Sequence, residues 1–280
     1  MSHLKIAVVG GVNLDILGIS SDEFRLRDSN PGNVRFSCGG VGHNIASQAV
    51  RTGADVSLYT VFGNDRNAEW LKQNCFEEGI RIDHAMTVEG KSPVYMAIHG
   101  SDGDMLSAVN DMCLLESFTP QLLDEMLPDI DQADVCVLDT NLPEKTIIHL
   151  SEESVVPLVC DPVSTIKSCR IKSVLSRLTA LKPNLLEARE MTGLFSPEDC
   201  ASKLIDYGVK NVFISLGKHG LYFAGEDDRG YLSPVSLTEN LQTGAGDALT
   251  AGIAIGIGMN ESVRDCAIRG LNTVGKYLRL

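Results

Sequence analysis

The sequence predicts an α/β fold: a doubly wound, mostly parallel sheet flanked by helices. Three observations predict it. Short apolar runs rich in β-branched residues recur along the chain, with helical stretches between them. Most of these runs are nearly continuous in apolar character, as strands buried on both faces are. Two stretches, 14–38 and 93–109, break the rhythm with turn-rich and alternating sequence, as a small inserted antiparallel sheet would.

The elements follow in order. Strands are expected at Lys5–Val9, Val56–Val61, Val135–Asp139, Leu158–Asp161, Ala180–Lys182, Val212–Leu216 and Leu221–Ala224. Helices are expected at 42–52, 67–78, 119–127, 143–151, 185–192, 197–207, 245–257 and 261–278. Thr119-Pro120 and Ser196-Pro197 place a capping side chain before a proline at the first helical position. In the second odd stretch, Val94–His99 and Met105–Val109 flank a Gly-Ser-Asp-Gly-Asp loop, a hairpin signal. No repeat or low-complexity tract interrupts the chain, so one domain over 1–280 is expected.

Composition narrows the function. The 280 residues are 44% hydrophobic and 22% charged, enough to bury a large core without disulfides. Thirty-seven acidic against 24 basic side chains give a net charge of −13, which argues against nucleic acid or an anionic membrane as partner. None of the eight cysteines forms a C-x-x-C pair, so zinc-site spacing is absent and small core filler is the expectation. The start shows no long apolar h-region, and no stretch approaches the length of a membrane span. A soluble cytoplasmic protein is expected.

Four motifs carry candidate chemistry. Gly244-Ala245-Gly246-Asp247 opens an apolar helix. Backbone N–H groups converge at such a start and favour an anion, and the glycines let the backbone approach it. Asp247 in that first turn is either a base beside the anion or a carboxylate stabilising the helix dipole. Gly39-Gly40-Val41-Gly42-His43-Asn44 opens another helix. It lacks the spacing of a dinucleotide fingerprint, and an ordinary glycine-rich loop is its plain alternative. Asn184 with Glu187 fits a helix capping pair as well as a ligand site. Ser215-x-Gly217-x-x-Gly220, taken alone, is a strand-joining turn. A Walker A loop is excluded, because Ala85 stands where the first glycine before Gly90-Lys91-Ser92 belongs.

Taken together and in this order, the motifs resemble the PfkB (ribokinase-like) carbohydrate and nucleoside kinases, over nearly the whole chain from Asn13 to Asn272. Within that family the likeness is greatest to the pseudouridine kinase branch. It is carried by Asp28–Gly32, Gly39–Ala46, Asn110–Met112, Asp139–Leu142 and Asp161–Lys167, with His43 where arginine is usual. The resemblance implies a β-sheet lid built from 14–38 and 93–109, and transfer of a phosphoryl group from ATP to a nucleoside 5′-hydroxyl. Ribose, another nucleoside or a hexose as acceptor, and a silent nucleoside-binding sensor, are the alternatives.

By the same resemblance, Asn13, Asp15, Gly39, Gly40 and Asn44 would hold the ribose, with Ser29 and Lys167 near the nucleoside. Asp247 would accept the hydroxyl proton, and Gly244, Ala245 and Gly246 would stabilise the moving phosphoryl group. Asn184, Ser215, Gly217, Gly220 and Asn272 would contact ATP, and Glu187 would act on Mg2+ through water. Val94, Met96 and Ile98 alternate, so one lid face is apolar; a homodimer through the lid is expected to cover it.

The family usually places oxygen-bearing side chains of a monovalent-cation site where Leu241-Gln242 stands. Leu241 supplies none, so potassium is expected to matter little. The measurement is turnover in potassium-free, sodium-free buffer. Activity that collapses there and returns only with potassium contradicts the expectation.

Overall fold

The computed structural model describes residues 4–234 and 244–279. The Leu241-Gln242 pair lies outside the described residues. The chain begins with β1 (Lys5–Val9), β2 (Asn13–Ser20), β3 (Gly32–Gly39), α1 (Val41–Arg51), β4 (Asp55–Tyr59), β5 (Val61–Phe62) and α2 (Arg66–Glu77). Next come β6 (Met86–Thr87), β7 (Val94–His99), β8 (Met105–Asp111), α3 (Pro120–Asp124), α4 (Leu127–Ile130), β9 (Val135–Asp139) and α5 (Glu144–Glu153). The rest is β10 (Leu158–Asp161), β11 (Ala180–Leu181), α6 (Leu185–Thr192), α7 (Pro197–Asp206), β12 (Asn211–Ser215), β13 (Leu221–Ala224), β14 (Arg229–Leu232), α8 (Ala245–Gly258) and α9 (Val263–Tyr277).

The main sheet has eight strands in the order β14-β13-β12-β11-β10-β9-β1-β4. From β4 to β12 all pairs are parallel; β13 and β14 add an antiparallel edge. Every residue of β9 and β10 is buried, as the continuous apolar runs require. β1 pairs with β4 on one side and β9 on the other, so the sheet grows outward in both directions from β1. Open α/β sheets bind ligands at such a reversal, beyond the carboxyl ends of the strands. α8 is apolar on nearly every side and is buried from Ala248 to Ile257, packed between α1 and α9.

The caps form as expected. Ser196 Oγ accepts from the Asp199 N–H at 3.1 Å and Thr119 Oγ1 from the Leu122 N–H at 3.4 Å. The expected helix 119–127 is instead two short helices. Pro128 has no N–H, and its ring crowds the Asp124 carbonyl, where α3 ends. The expected strand Val56–Val61 divides at Thr60. There the chain leaves the edge of β1, and its carbonyl accepts from the Met86 N–H at 3.0 Å beside β6.

The small sheet has the order β3-β2-β7-β8, and it is mixed rather than antiparallel. β2–β3 and β7–β8 are antiparallel pairs, but β2 and β7 run parallel. The chain between them passes through α1, β4 and α2, a crossover long enough for parallel pairing. Side chains alternate between the two faces. Asn13, Asp15 and Tyr95 share one face; Ile16, Phe36, Met96 and Val109 share the other. On that second face Val34, Phe36, Met96, Ile98 and Val109 are exposed.

Candidate active site

Three main-sheet strands end in or next to a charged group, and these ends lie in line with the glycines that follow β1. Gly10-Gly11 follow β1, Asp139 closes β9, Asp161 closes β10 and Lys182 follows β11. Asp139 Oδ2 accepts from the Gly11 N–H at 2.9 Å, and its Oδ1 accepts from the Asn141 N–H at 2.7 Å. Burial still holds its carboxyl above the usual range. Lys182 Nζ lies 2.8 Å from Asp161 Oδ2, and both side chains are almost fully buried. Thr250 Oγ1 on α8 donates to that same oxygen at 2.8 Å. Burial opposes the charge on Lys182, but the Asp161 carboxylate in contact keeps its ammonium above the ordinary value.

The start of α8 faces this cluster. Gly244 has φ +99°, a left-handed conformation open to glycine, and it turns the chain into the helix. The next N–H groups are the unpaired ones of a helix start, so Ala245 and Gly246 present donors and the positive end of the dipole. A Cβ on Gly246 would stand 3.3 Å from Lys182 Nζ, which brings the ammonium against the same turn. Asp247 receives a hydrogen bond from Asn44 Nδ2 at 2.8 Å. Burial, and next the nearby Asp161 charge, push its carboxyl up to about 7. The α1 and α8 starts are thus tied together by Asn44 and Asp247, which are far apart in sequence.

The lid joins through β2. Asn13 Nδ2 donates to Asp15 Oδ1 at 2.5 Å, which leaves Oδ2 to accept from a ligand. A Cβ on Gly39 would lie 2.1 Å from Asp15 Oδ2, so only glycine leaves that carboxylate its place. Gly40, at φ +98°, passes close over Gly11, and the Gly11 carbonyl accepts from the His43 N–H at 3.2 Å. Lys167 Nζ donates to Asn141 Oδ1 at 2.5 Å at the rim beside Asp139.

Asn184 follows Lys182 by two residues and forms the full capping box of α6. Glu187 Oε2 accepts from the Asn184 N–H at 2.8 Å, and Asn184 Oδ1 from the Glu187 N–H at 2.9 Å. The cap leaves Glu187 Oε1 and Asn184 Nδ2 available. Asn184 bridges to Ser215, and together with Leu186, Leu216, His219 and Tyr231 they line a cavity of about 390 Å3. Gly217 and Gly220 shape the turn beside it, both at positive φ; a Cβ on Gly220 would strike the Leu232 carbonyl at 2.1 Å.

Two expected residues are not gathered here. Ser29 lies on an exposed turn where its own N–H donates to Asp28 Oδ1. Asn272 is exposed on α9 and lines a separate cavity with Leu4, Thr52 and Met259. Conversely Asp139, Asp161, Lys182 and Thr250 belong to the cluster although none was expected as a site residue; Asp139 and Asp161 only opened stretches that carry the resemblance. A signal was present: each of the first three places a charge at the end of a buried apolar run.

This chain belongs to the pfkB family of carbohydrate kinases, whose model matches residues 3–275. Its members transfer a phosphoryl group to a hydroxyl of a sugar or nucleoside. The pseudouridine kinase of Escherichia coli K12 is 31% identical over 271 residues, spanning 92% of this chain and 87% of that protein. A carbohydrate kinase from Agrobacterium tumefaciens superposes with a TM-score of 0.88 at 26% identity, over 99% of this chain and 91% of its own. Arabidopsis thaliana ribokinase, solved with ribose and ATP, superposes at 0.82 with 19% identity over the whole of both chains. The fold is ribokinase-like.

Removing the ammonium while keeping Asp161 leaves a buried carboxylate without its counter-ion. Lys182→Met is therefore expected to lower the unfolding free energy by about 3–5 kcal/mol. Urea denaturation measures it, and adding Asp161→Leu is expected to restore most of the loss. A single-variant loss below about 1 kcal/mol contradicts a buried ion pair here.

Proposed function

We propose that the protein is an ATP-dependent kinase that phosphorylates the 5′-hydroxyl of pseudouridine, giving pseudouridine 5′-phosphate and ADP. The observation that carries this reading is Asp247, a carboxyl with a pKa raised to about 7 at the donor-rich start of α8. A base near the working pH accepts a proton without being fixed in either state. The acceptor hydroxyl gives its proton to Asp247 as its oxygen attacks the γ-phosphorus and the bond to ADP breaks. The N–H groups of Gly244, Ala245 and Gly246 meet the charge on the moving phosphoryl group. Asn13, Asp15, Gly39, Gly40 and Asn44 hold the ribose, and Asp15 Oδ2 accepts from its hydroxyls. Lys167 meets the nucleoside at the rim, and Ser29 joins only when the lid closes.

Asn184, Ser215, Gly217 and Gly220 bind the nucleotide along the cavity beside α6. Asn272 contributes near adenine only through rearrangement of its side of α9. Mg2+ fits the open oxygen of Glu187, buried near Asp161, and would be held there through water while it screens the phosphates. The identity to the Escherichia coli pseudouridine kinase supports this acceptor over ribose or a hexose. The reading places the enzyme in the cytoplasm.

ADP release with pseudouridine, uridine and ribose in parallel tests the substrate. Pseudouridine is expected to give the highest kcat/KM; faster turnover of either competitor overturns the assignment. Asp247→Asn is expected to lower kcat by about 10²–10⁴-fold with nucleoside binding retained. Near-normal turnover removes Asp247 as the base.

The exposed apolar lid face lies opposite Asp15, so bound nucleoside cannot cover it. A second lid supplies the cover, and the reading includes a homodimer through this face. Light scattering with and without nucleoside measures it. A dimer that Phe36→Glu dissociates is expected; a monomer under both conditions contradicts it.

A further inference from the structure

Behind the lid hinge lies a group of side chains that the phosphoryl-transfer reading does not use. Cys38 is near the end of β3, His43 in the first turn of α1 and Cys75 in the last turns of α2. Their ligating atoms all lie within 4.8 Å of one another. Cys75 and Cys38 do pack in the core as the sequence suggests, whereas Cys113 and Cys169 are exposed and fill no core. Cys75 is fully buried and Cys38 half-buried, facing it from the apolar side of the lid.

A second observation points to a ligand. His43 is only 3% exposed, and its Nε2 has no hydrogen-bond partner among the described residues. Glu78, which caps α2, turns Oε2 toward it at 3.4 Å, and that oxygen is also without a hydrogen bond. The two atoms meet as a charge contact rather than a hydrogen bond, and an ion between them would take both as ligands.

We propose that Cys38, His43, Cys75 and Glu78 form a zinc-binding site that fastens the lid hinge to the body. Two sulfurs, one imidazole nitrogen and one carboxylate oxygen are the donor set of a closed four-coordinate zinc site. Tetrahedral zinc with its usual bond lengths sets its ligand atoms about 3.3–3.8 Å apart, so Cys38, His43 and Cys75 contract by about 1 Å at their widest, and Glu78, outside that trio but 3.4 Å from His43, swings in as the fourth ligand. Binding forms two Zn–S bonds, one Zn–N bond and one Zn–O bond. The two thiol protons pass to solvent, as does any proton that His43 shares with Glu78, so that His43 binds as the neutral imidazole.

The consequence follows from the neighbours. Cys38 directly precedes Gly39, whose backbone abuts Asp15, and His43 directly precedes Asn44, which holds Asp247. An ion here joins β3, α1 and α2 and fixes the lid strand relative to the phosphoryl-transfer centre. The sequence spacing concealed the site because its ligands come from three separate elements.

The test uses the full chain, reduced and freed of metal by a chelator, then titrated with Co2+ as a spectroscopic stand-in for zinc. One equivalent is expected to give a sulfur-to-cobalt charge-transfer band and the visible bands of tetrahedral cobalt, both erased by Zn2+. Cys38→Ser and Cys75→Ser are expected to weaken binding by at least about 10-fold, whereas the exposed Cys113→Ser leaves it unchanged. Should a cysteine variant fail to fold, Glu78→Gln serves in its place, with the same loss expected. Zn2+ is further expected to raise the unfolding temperature of the unaltered chain but not of these variants. No cobalt–thiolate band, or a band indifferent to Cys38, Cys75 and Glu78, overturns the proposal. A Cys38–Cys75 disulfide formed in air by protein that takes up no metal when reduced overturns it too.

Discussion

The contact between Lys182 and Asp161 is the constraint on which the site depends. It places a buried ammonium among the carboxylates of Asp161, Asp247 and Glu187, at the carboxyl ends of the parallel strands. Without Lys182 the ends of β9, β10 and α8 would bring negative charges together in a low-dielectric interior. With it, Asp161 has a cation in contact at 2.8 Å, and Thr250 locks the same oxygen to α8. Burial and the field of Asp161 then raise the proton affinity of the half-buried Asp247.

The lid solves a different problem. Its Asp15 face must meet a polar ligand, and its other face carries the apolar residues that hold strands together. Among the described residues the helices reach only the hinge end of its outer face, at Cys38, so Val34, Phe36 and Met96 stay exposed. A polar face bearing Asp15 and an exposed apolar face are therefore built from alternate residues of the same strands, and a change of register by one residue would exchange them.

Much of the architecture was legible. β1, β9, β10 and β13 fall where the apolar runs put them, because strands buried on both faces leave an unambiguous pattern. The local motifs also survive: Asn44 and Asp247, one from each glycine-rich helix start, do meet. What the sequence hid were relations between distant segments. The parallel pairing of β2 with β7 depends on the path of the chain around α2, not on either strand's pattern. The Asp161–Lys182 pair joins the ends of neighbouring strands, and no spacing rule marks it. Asn184 and Glu187 show both of their readings at once, since the capping box uses one face of each side chain and leaves the other open.

The central claim is that buried charge tunes Asp247 into a base near neutral pH. The direct measurement is kcat/KM for the nucleoside from about pH 5 to about pH 9. A carboxyl with a raised pKa keeps its proton below that value and cannot accept another, so activity falls on acidification. The account predicts an ascending limb with an apparent pKa near 7. It also predicts that Asn44→Leu, which removes a hydrogen bond to the charged form, moves that limb to higher pH. A profile flat through neutrality, or a limb that Asn44→Leu leaves in place, would contradict it.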